Sequence, residues 1–298
     1  MSENCQKIKI MKNIIHKTGW LVAALLLFLM IPDGAQAQLE RERVVEDRPV
    51  EFVFWAPTNI GLSTVQNPSA KNLNTTVLHT FGLINGGIDR FFGLDDGANT
   101  RLGLDYGITD RFSMSVGRMT FQKVVDFQTK VNILRQTRSG STPIELAVKG
   151  SMGISTLSGI GLEFSDRLSY LGSLMIARKF NRFSFQLSPM IGYFNRVVLE
   201  QNPNRLIGLG MIANYELNDR FALSAEYLPV LGDRFQETYD TMGIALNIDT
   251  GGHVFQVFLT SSQFHNEQYI MANNRDRFWD GDFRFGFNIH RVFGLSGR

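Results

Sequence analysis

The chain repeats one joint: a tight polar turn closing on Asp-Arg-Phe, set between segments in which apolar residues fall at every second position. It reads Tyr106-Gly107-Ile108-Thr109-Asp110-Arg111-Phe112 and again Tyr215-Glu216-Leu217-Asn218-Asp219-Arg220-Phe221. Looser copies are Ser165-Asp166-Arg167-Leu168 and Phe180-Asn181-Arg182-Phe183. A period of two marks a strand with unlike faces. Here it runs for about ten residues on either side of the turn, the length of a tilted membrane-spanning strand. Before the first turn Leu102, Leu104, Tyr106 and Ile108 share one face, and Arg101, Gly103, Asp105 and Gly107 the other. Beyond it Phe112, Met114 and Val116 stand opposite Ser113, Ser115 and Gly117. The pattern returns in residues 207–215 and 221–227 and ends on Phe283, Phe285, Phe287 and Ile289.

At about 18 residues per strand and connection, residues 74–293 hold about twelve strands, within a range of ten to fourteen. The expected fold is all-β: an antiparallel up-and-down transmembrane β-barrel. An even strand count puts both ends of the wall on the periplasmic side. The turns at Asp110, Arg111, Phe112 and at Asp219, Arg220, Phe221 then lie there as well. The longer polar stretches 201–204, 232–240 and 265–280 become outer loops.

The N-terminus reads as an export signal. Lys7, Lys9, Lys12 and Lys17 precede an apolar run over residues 20–31, and Pro32-Asp33-Gly34 breaks it. Ala35-Gln36-Ala37 is a small-residue cleavage site, so residues 1–37 form a signal peptide and the mature chain begins at Gln38. Met11 offers an alternative start to Met1. N-terminal sequencing of protein recovered from membranes should begin at Gln38, and a mature chain starting at Met1 or Met11 would contradict this. The single cysteine, Cys5, is lost with the signal, which excludes disulfides and cysteine chemistry in the mature protein. Of 30 basic and 28 acidic side chains, cleavage removes four lysines, Glu3 and Asp33, leaving 26 of each. That neutral balance gives no support to nucleic-acid binding. Residues 38–73 read as a charged leader followed by a short strand or a plug segment at the barrel mouth, and residues 74–298 as the barrel.

The polar faces separate a membrane barrel from a soluble one. They are rich in Gly, Ser, Asn and Arg and poor in Lys, as suits a crowded, partly wet lumen. Tyr106, Phe112, Tyr193, Tyr215, Phe221 and Tyr227 gather near strand ends, where aromatic girdles meet the membrane interface. The aromatic last strand resembles the terminal strand read by barrel-assembly machinery. Outer-membrane lipid and that machinery are the expected partners, at an outer-membrane location.

Chemistry-bearing motifs are few. Asp110-Arg111-Phe112 and Asp219-Arg220-Phe221 suit a turn residue, a headgroup-level arginine and an interfacial anchor. Asp95-Asp96-Gly97-Ala98-Asn99 lacks the alternating ligands and final Glu of an EF-hand. His79, His253, His265 and His290 show no zinc spacing. His79 and His265 are the candidate bases of a membrane-embedded hydrolase, yet no serine sits in a G-x-S-x-G elbow. No catalytic residue or cofactor is assigned. Arg101, Asp105, Arg118, Arg135, Glu145, Arg178 and Arg284 are candidate lumen charges. They form either a ladder that sets ion selectivity or internal pairs that neutralise one another.

Phe92-Gly93-Leu94-Asp95, Ala98-Asn99 and residues 101–111 give the chain a further likeness. From about Phe54 onward it resembles a family of uncharacterised outer-membrane β-barrel proteins classed under a domain of unknown function. Family members carry His-Arg-Phe-Gly on the first strong strand; this chain has His79-Thr80-Phe81-Gly82, with threonine in the arginine position. The resemblance implies fold and location and brings no catalytic residue. Three readings follow. The first is a passive or substrate-specific pore. The second is a plugged barrel that binds a partner through its loops or rim, and the third is a hydrolase.

Overall fold

The computed structural model describes residues 47–157, 161–197 and 199–295. Ala35, Ala37, Gln38 and the rest of the signal-peptide reading lie outside the described residues. The wall opens with β1 (Asn72–Leu83), β2 (Asn99–Thr109), β3 (Phe112–Met119) and β4 (Val124–Leu134). It continues through β5 (Glu145–Ser155), β6 (Leu168–Phe180), β7 (Phe183–Phe194) and β8 (Arg205–Glu216). Then come β9 (Phe221–Leu228), β10 (Val230–Leu231), β11 (Thr241–Asp249), β12 (His253–Thr260) and β13 (Arg284–Gly294).

Apart from the two-residue β10, each strand pairs antiparallel with the next along the chain, β9 with β11, and β1 pairs with β13, so the sheet closes on itself. The two-residue β10 continues β9 on the same flank of β8. Pro229 separates them, having no N–H to give the ladder, while its carbonyl still accepts from Leu209 N at 3.1 Å. The wall is therefore a closed antiparallel up-and-down barrel of twelve strand positions.

Asn72 faces Gly294, so both wall termini lie at one end. The short joints 110–111, 181–182, 217–220 and 250–252 share that terminal end. The connections 84–98, 232–240 and 261–283 and the described residues of 156–167 and 195–204 share the opposite, loop end. The residue ahead of Asp-Arg explains the two best joints. Thr109 Oγ1 accepts from the N–H of Arg111 and Phe112, at 3.2 and 3.0 Å. Asn218 Oδ1 accepts from Arg220 and Phe221 in the same way, at 2.9 and 3.0 Å. A side chain thus replaces a backbone acceptor and tightens the turn. The looser copy at Ser165–Arg167 differs: it is a single 3-10 turn at the loop end, leading into β6.

Alternation sorts the side chains. Leu102, Leu104, Tyr106, Met114, Val116, Phe221 and Leu223 are exposed on the outer surface. Arg101, Ser113, Lys130, Lys149, Gln186 and Glu226 are buried on the inner one. Leu209 keeps the outward phase but is covered, at 9% exposure. Aromatic residues ring the terminal end (Tyr106, Phe183, Tyr215, Phe221) and recur at the loop end (Tyr170, Tyr193). In membranes, single cysteines placed as Leu104→Cys or Leu223→Cys should resist a water-soluble maleimide, while Asp219→Cys in the turn should react. Arginine for Leu104, at mid-strand, should cost about 2–4 kcal/mol of barrel stability. Equal labelling at 104 and 219 would contradict the assignment of faces.

Candidate functional site

The lumen is filled, from both ends, by segments that are not part of the wall. Residues 53–67 enter from the terminal end and bury Val53, Phe54, Ala56, Ile60, Leu62 and Val65. From the loop end the β12–β13 connection folds inward and carries a short helix, α1 (Glu267–Asn273), whose Tyr269, Ile270 and Met271 are buried. Val53, Phe54, Leu62 and Val65 of the plug and Tyr269, Ile270 and Met271 of the helix share one apolar cluster with Met175, Met190, Leu206 and Ile212 of the wall, while Ile60 packs with Ala245 and Phe258. Small wall residues allow the approach. A Cβ at Gly208 would lie 2.6 Å from Met271 Sδ, and one at Gly210 would lie 3.3 Å from Leu62 Cδ1. Of the two forms expected here, a short strand or a plug segment, residues 53–67 take the second, as an irregular segment inside the barrel.

Polar wall side chains hold the plug. The Glu226 carboxylate accepts from the backbone N–H of Ile60 (3.1 Å), Gly61 (2.9 Å) and Leu62 (3.3 Å) and from Asn59 Nδ2 (3.2 Å). The plug's turn at Gly61 therefore wraps a buried carboxylate in a nest of donors. Lys130 Nζ donates to the carbonyls of Thr64 (2.8 Å) and Gln66 (2.5 Å). Gln186 accepts from Val65 N and donates to Ser63 O, each at 2.8 Å. Asn288 donates to the carbonyls of Asn59 and Ile60 at 2.9 and 3.0 Å. Where plug and inserted helix meet, Lys149 Nζ donates to Glu267 Oε2 (2.7 Å) and to Ser63 Oγ (2.6 Å), and Ser63 N donates to Glu267 Oε1 (3.0 Å). Burial would raise the Glu267 carboxyl, but Lys149 beside it holds it below the usual carboxylate range. One ion pair thereby ties wall, plug and inserted loop together.

The candidate lumen charges divide. Arg101 and Asp126 form a buried bidentate pair, Nε–Oδ2 2.9 Å and Nη2–Oδ1 2.6 Å. The guanidinium occupies the space that side chains at Gly103 and Gly117 would fill; a Cβ at Gly117 would be 2.2 Å from Nη2. Asp105 accepts from Asn74 Nδ2 (2.8 Å) and Thr76 Oγ1 (3.0 Å). Glu145 accepts from Asn132 Nδ2 at 2.8 Å, with Arg135 4.0 Å away at the terminal mouth. Arg284 meets Asp276 of the inserted loop at 2.6 Å. Arg118 and Arg178 do not face the lumen. Each falls on the outward phase of its strand, Arg118 with Met114 and Val116, and Arg178 with Leu174 and Ile176. Arg178 lies over the Phe180 ring at 4.5 Å. Neutralising Arg118 should accordingly leave any ion preference unchanged, as reversal potentials in planar bilayers would show.

The wall residues Lys130, Lys149 and Glu226, which hold the plug, and Asp126, which pairs with Arg101, were not among the sequence candidates. Their inward phase was the available signal. The family-motif residues build the loop-end turn after β1. Gly93 (φ +85°) packs so close that a Cβ would be 2.5 Å from the carbonyl carbon of Gly82. Phe92, Leu94 and Asp95 are exposed beside it. His79 and Phe81 point outward, with ring centroids 4.5 Å apart. Thr80 points inward and meets His265 Nε2 at 3.3 Å. Burial pushes that imidazole down to about 3. The hydroxyl beside His79 also belongs to a threonine, Thr100, at 2.8 Å, so neither candidate base is shown bonded to a serine. Among the described residues, no group of three or more His, Cys, Asp or Glu is placed to hold a metal ion.

At the terminal end the plug leaves two recesses. One of about 590 Å³ lies between Phe52, Trp55 and the ends of β1, β8, β11 and β13. A second of about 370 Å³ is lined by Arg48, Asp110, Arg135, Arg138 and Glu145. Asp47 flanks that second mouth, and hydrogen bonds from Ser139 and Ser141 lower its carboxyl.

A family model described as a membrane bound beta barrel domain (DUF5777) matches residues 54–293, plug and wall together. No curated protein matches the sequence. Among solved structures the chain is similar to the NanC porin, at 11% identity over 74% of this chain and 98% of that one, with a TM-score of 0.46. An outer-membrane channel from Pseudomonas putida F1 shows 12% identity over 76% and 96%, with a TM-score of 0.47. A FadL homologue from Pseudomonas aeruginosa shows 8% identity over 82% and 94%, with a TM-score of 0.34.

Proposed function

We propose, from the premise that the chain belongs to this family of membrane-bound β-barrel domains, that it is an outer-membrane channel held shut by its own residues. In this reading the terminal end faces the periplasm and the long loops face outward. Residues 53–67 and the inserted β12–β13 connection are the gate. One observation carries the reading: residues 53–67 are bonded to the wall through side chains, while the strand ladder closes completely without them. The backbone bonds described within the plug, Asn59 N to Leu62 O and Thr64 N to Pro57 O, stay inside the segment. A unit fastened in this way can leave without opening the barrel, and its opening free energy lies below that of the wall.

The second reading, a permanently plugged barrel that binds a partner by its rim, is favoured by the buried Arg101–Asp126 and Lys149–Glu267 pairs. Solute flux separates the two. Proteoliposomes bearing the full chain should be nearly impermeable to small sugars. They should become reversibly permeable at urea concentrations that leave the barrel folded. Impermeability up to the point of barrel unfolding would select the second reading.

A further inference from the structure

Arg118 stands on the outer face of the wall, at the line where that face changes from apolar to polar. Strand register shows the line. Across β2 to β6 the cross-strand partners Leu104, Val116, Phe127, Met152 and Tyr170 form one outward row. The next row towards the loop end is Leu102, Arg118, Val125, Ile154 and Leu168, apolar except for the arginine. Beyond it Thr100, Thr120, Lys123 and Thr156 are all polar; Thr120 N donates to Thr100 O at 2.8 Å, and Thr156 N to Lys123 O at 3.0 Å. An apolar wall that turns polar over one row marks the depth at which hydrocarbon gives way to headgroups.

Two cationic residues meet there through Thr156. Arg118 Nη1 donates to Thr156 Oγ1 at 3.4 Å, and Thr156 Oγ1 in turn donates to the Lys123 carbonyl at 2.6 Å. The tight turn before β4 fixes the backbone of Lys123, with Gln122 and Lys123 both at positive φ, +59° and +47°. Arg118 and Lys123 are exposed. The contact with Thr156 is the one hydrogen bond described for the Arg118 side chain, so most of its guanidinium donors stay open. Among the described residues neither cation forms an ion pair with a carboxylate. Asp126, on the neighbouring strand, points inward to Arg101, and Asp166 in the β5–β6 connection meets Arg196 at 3.9 Å. A third cation, Arg167, caps the carbonyls of Ser155 and Leu157 beside them. On the outward phase of the wall strands the other fully charged side chains are Arg178, Arg205 and Arg291, and no carboxylate shares that phase. Arg178 and Arg291 lie over the rings of Phe180 and Phe293 near the terminal end.

We infer that Arg118 and Lys123 bind the phosphate of a membrane lipid whose acyl chains lie along the row of Val116, Phe127 and Met152. The guanidinium presents paired donors to phosphate oxygens, the ammonium adds charge, and the apolar row covers hydrocarbon directly beneath. An uncharged headgroup leaves both cations uncompensated at the membrane surface. A free anion makes no use of the apolar row. The inference rests on the wall lying in a membrane and holds whether or not the plug moves.

Native mass spectrometry of the full chain in detergent tests it, with diphosphoryl lipid A and phosphatidylglycerol against dephosphorylated lipid A and diacylglycerol. The phosphorylated lipids should stay bound and their uncharged counterparts should not. Arg118→Gln should lower retention by about tenfold or more, as loss of a charge-assisted contact implies, and Arg118→Gln/Lys123→Gln should lower it further. Arg205→Gln removes the same charge from the loop end of β8, several strands around the wall, and should leave retention unchanged. These variants alter outward side chains and leave the strand ladder intact, which heat-dependent gel mobility of the folded barrel verifies. Equal retention of the uncharged lipids would overturn the inference, as would loss of both phosphorylated ones. So would an effect of Arg205→Gln as large as that of Arg118→Gln. Displacement of the bound lipid by an equal concentration of inorganic phosphate would assign the pair to free anions instead.

Discussion

Replacing Glu226 by alanine should free the plug while leaving the wall folded. Four N–H donors of residues 59–62 converge on that one carboxylate. No other acceptor is described for the N–H of Ile60, Gly61 or Leu62. Removing the acceptor strands buried donors at about 1–3 kcal/mol each, so the three backbone donors alone should cost plug docking on the order of 3–9 kcal/mol. The β8–β9 and β9–β11 ladders do not use the Glu226 side chain and should persist. Hydrogen exchange resolved by mass spectrometry should speed up at residues 59–62 by about a hundredfold or more, the equivalent of roughly 3 kcal/mol. Strand amides should keep their protection. Glu226→Gln retains one acceptor oxygen and should fall between. Unchanged exchange at residues 59–62 in Glu226→Ala would show that the plug is held elsewhere.

Lys149→Met should have an effect of similar size at the other end of the gate. It removes the cation from Glu267 and leaves a buried carboxylate without its charge partner, a loss of about 3–5 kcal/mol. The outcome expected is release of α1 from the lumen, seen as new protease cleavage within residues 261–283. The double variant Lys149→Met/Glu267→Leu removes both charges and should restore much of the protection. If the double variant is as sensitive as the single, the pair itself is not what holds the helix. The Glu267 carboxyl is held below its unfolded value, so the stability it contributes is present above the ordinary carboxylate range. That contribution is lost only as pH falls through the folded-state value. Protease resistance of the wild-type loop should therefore survive mild acidification.

Much of the wall could be read from the alternation of residues. Residues 101–108 and 112–119, with their polar and apolar faces, gave two strands and their joint, and Thr109 and Asn218 supply the turn chemistry there. The count of about twelve strands, within ten to fourteen, comes from the length of the alternating region at about 18 residues per strand and connection. The gate could not be read in this way. Residues 53–67 have no period because they form neither strand nor helix, and their partners are distant: Gly61 and Glu226 are separated by 165 positions. In β6 to β8 the inner face is partly apolar, with Leu171, Met175, Met190, Leu206 and Ile212 covered by plug and helix. A pattern of unlike faces fades where a barrel is filled by its own chain. Arg118 and Arg178 were grouped with the lumen charges by residue type, whereas strand phase places them outside.

Gating by the plug is tested most directly in planar bilayers, with the full chain beside a variant from which residues 53–67 are removed and replaced by a short Gly/Ser linker. The full chain should remain closed for most of each recording. The variant should show frequent, stable conductance steps, because the polar wall of β1 to β5 is then uncovered. Equal silence from both, with each protein folded, would contradict the channel reading. Equal conduction from both would contradict gating by this segment.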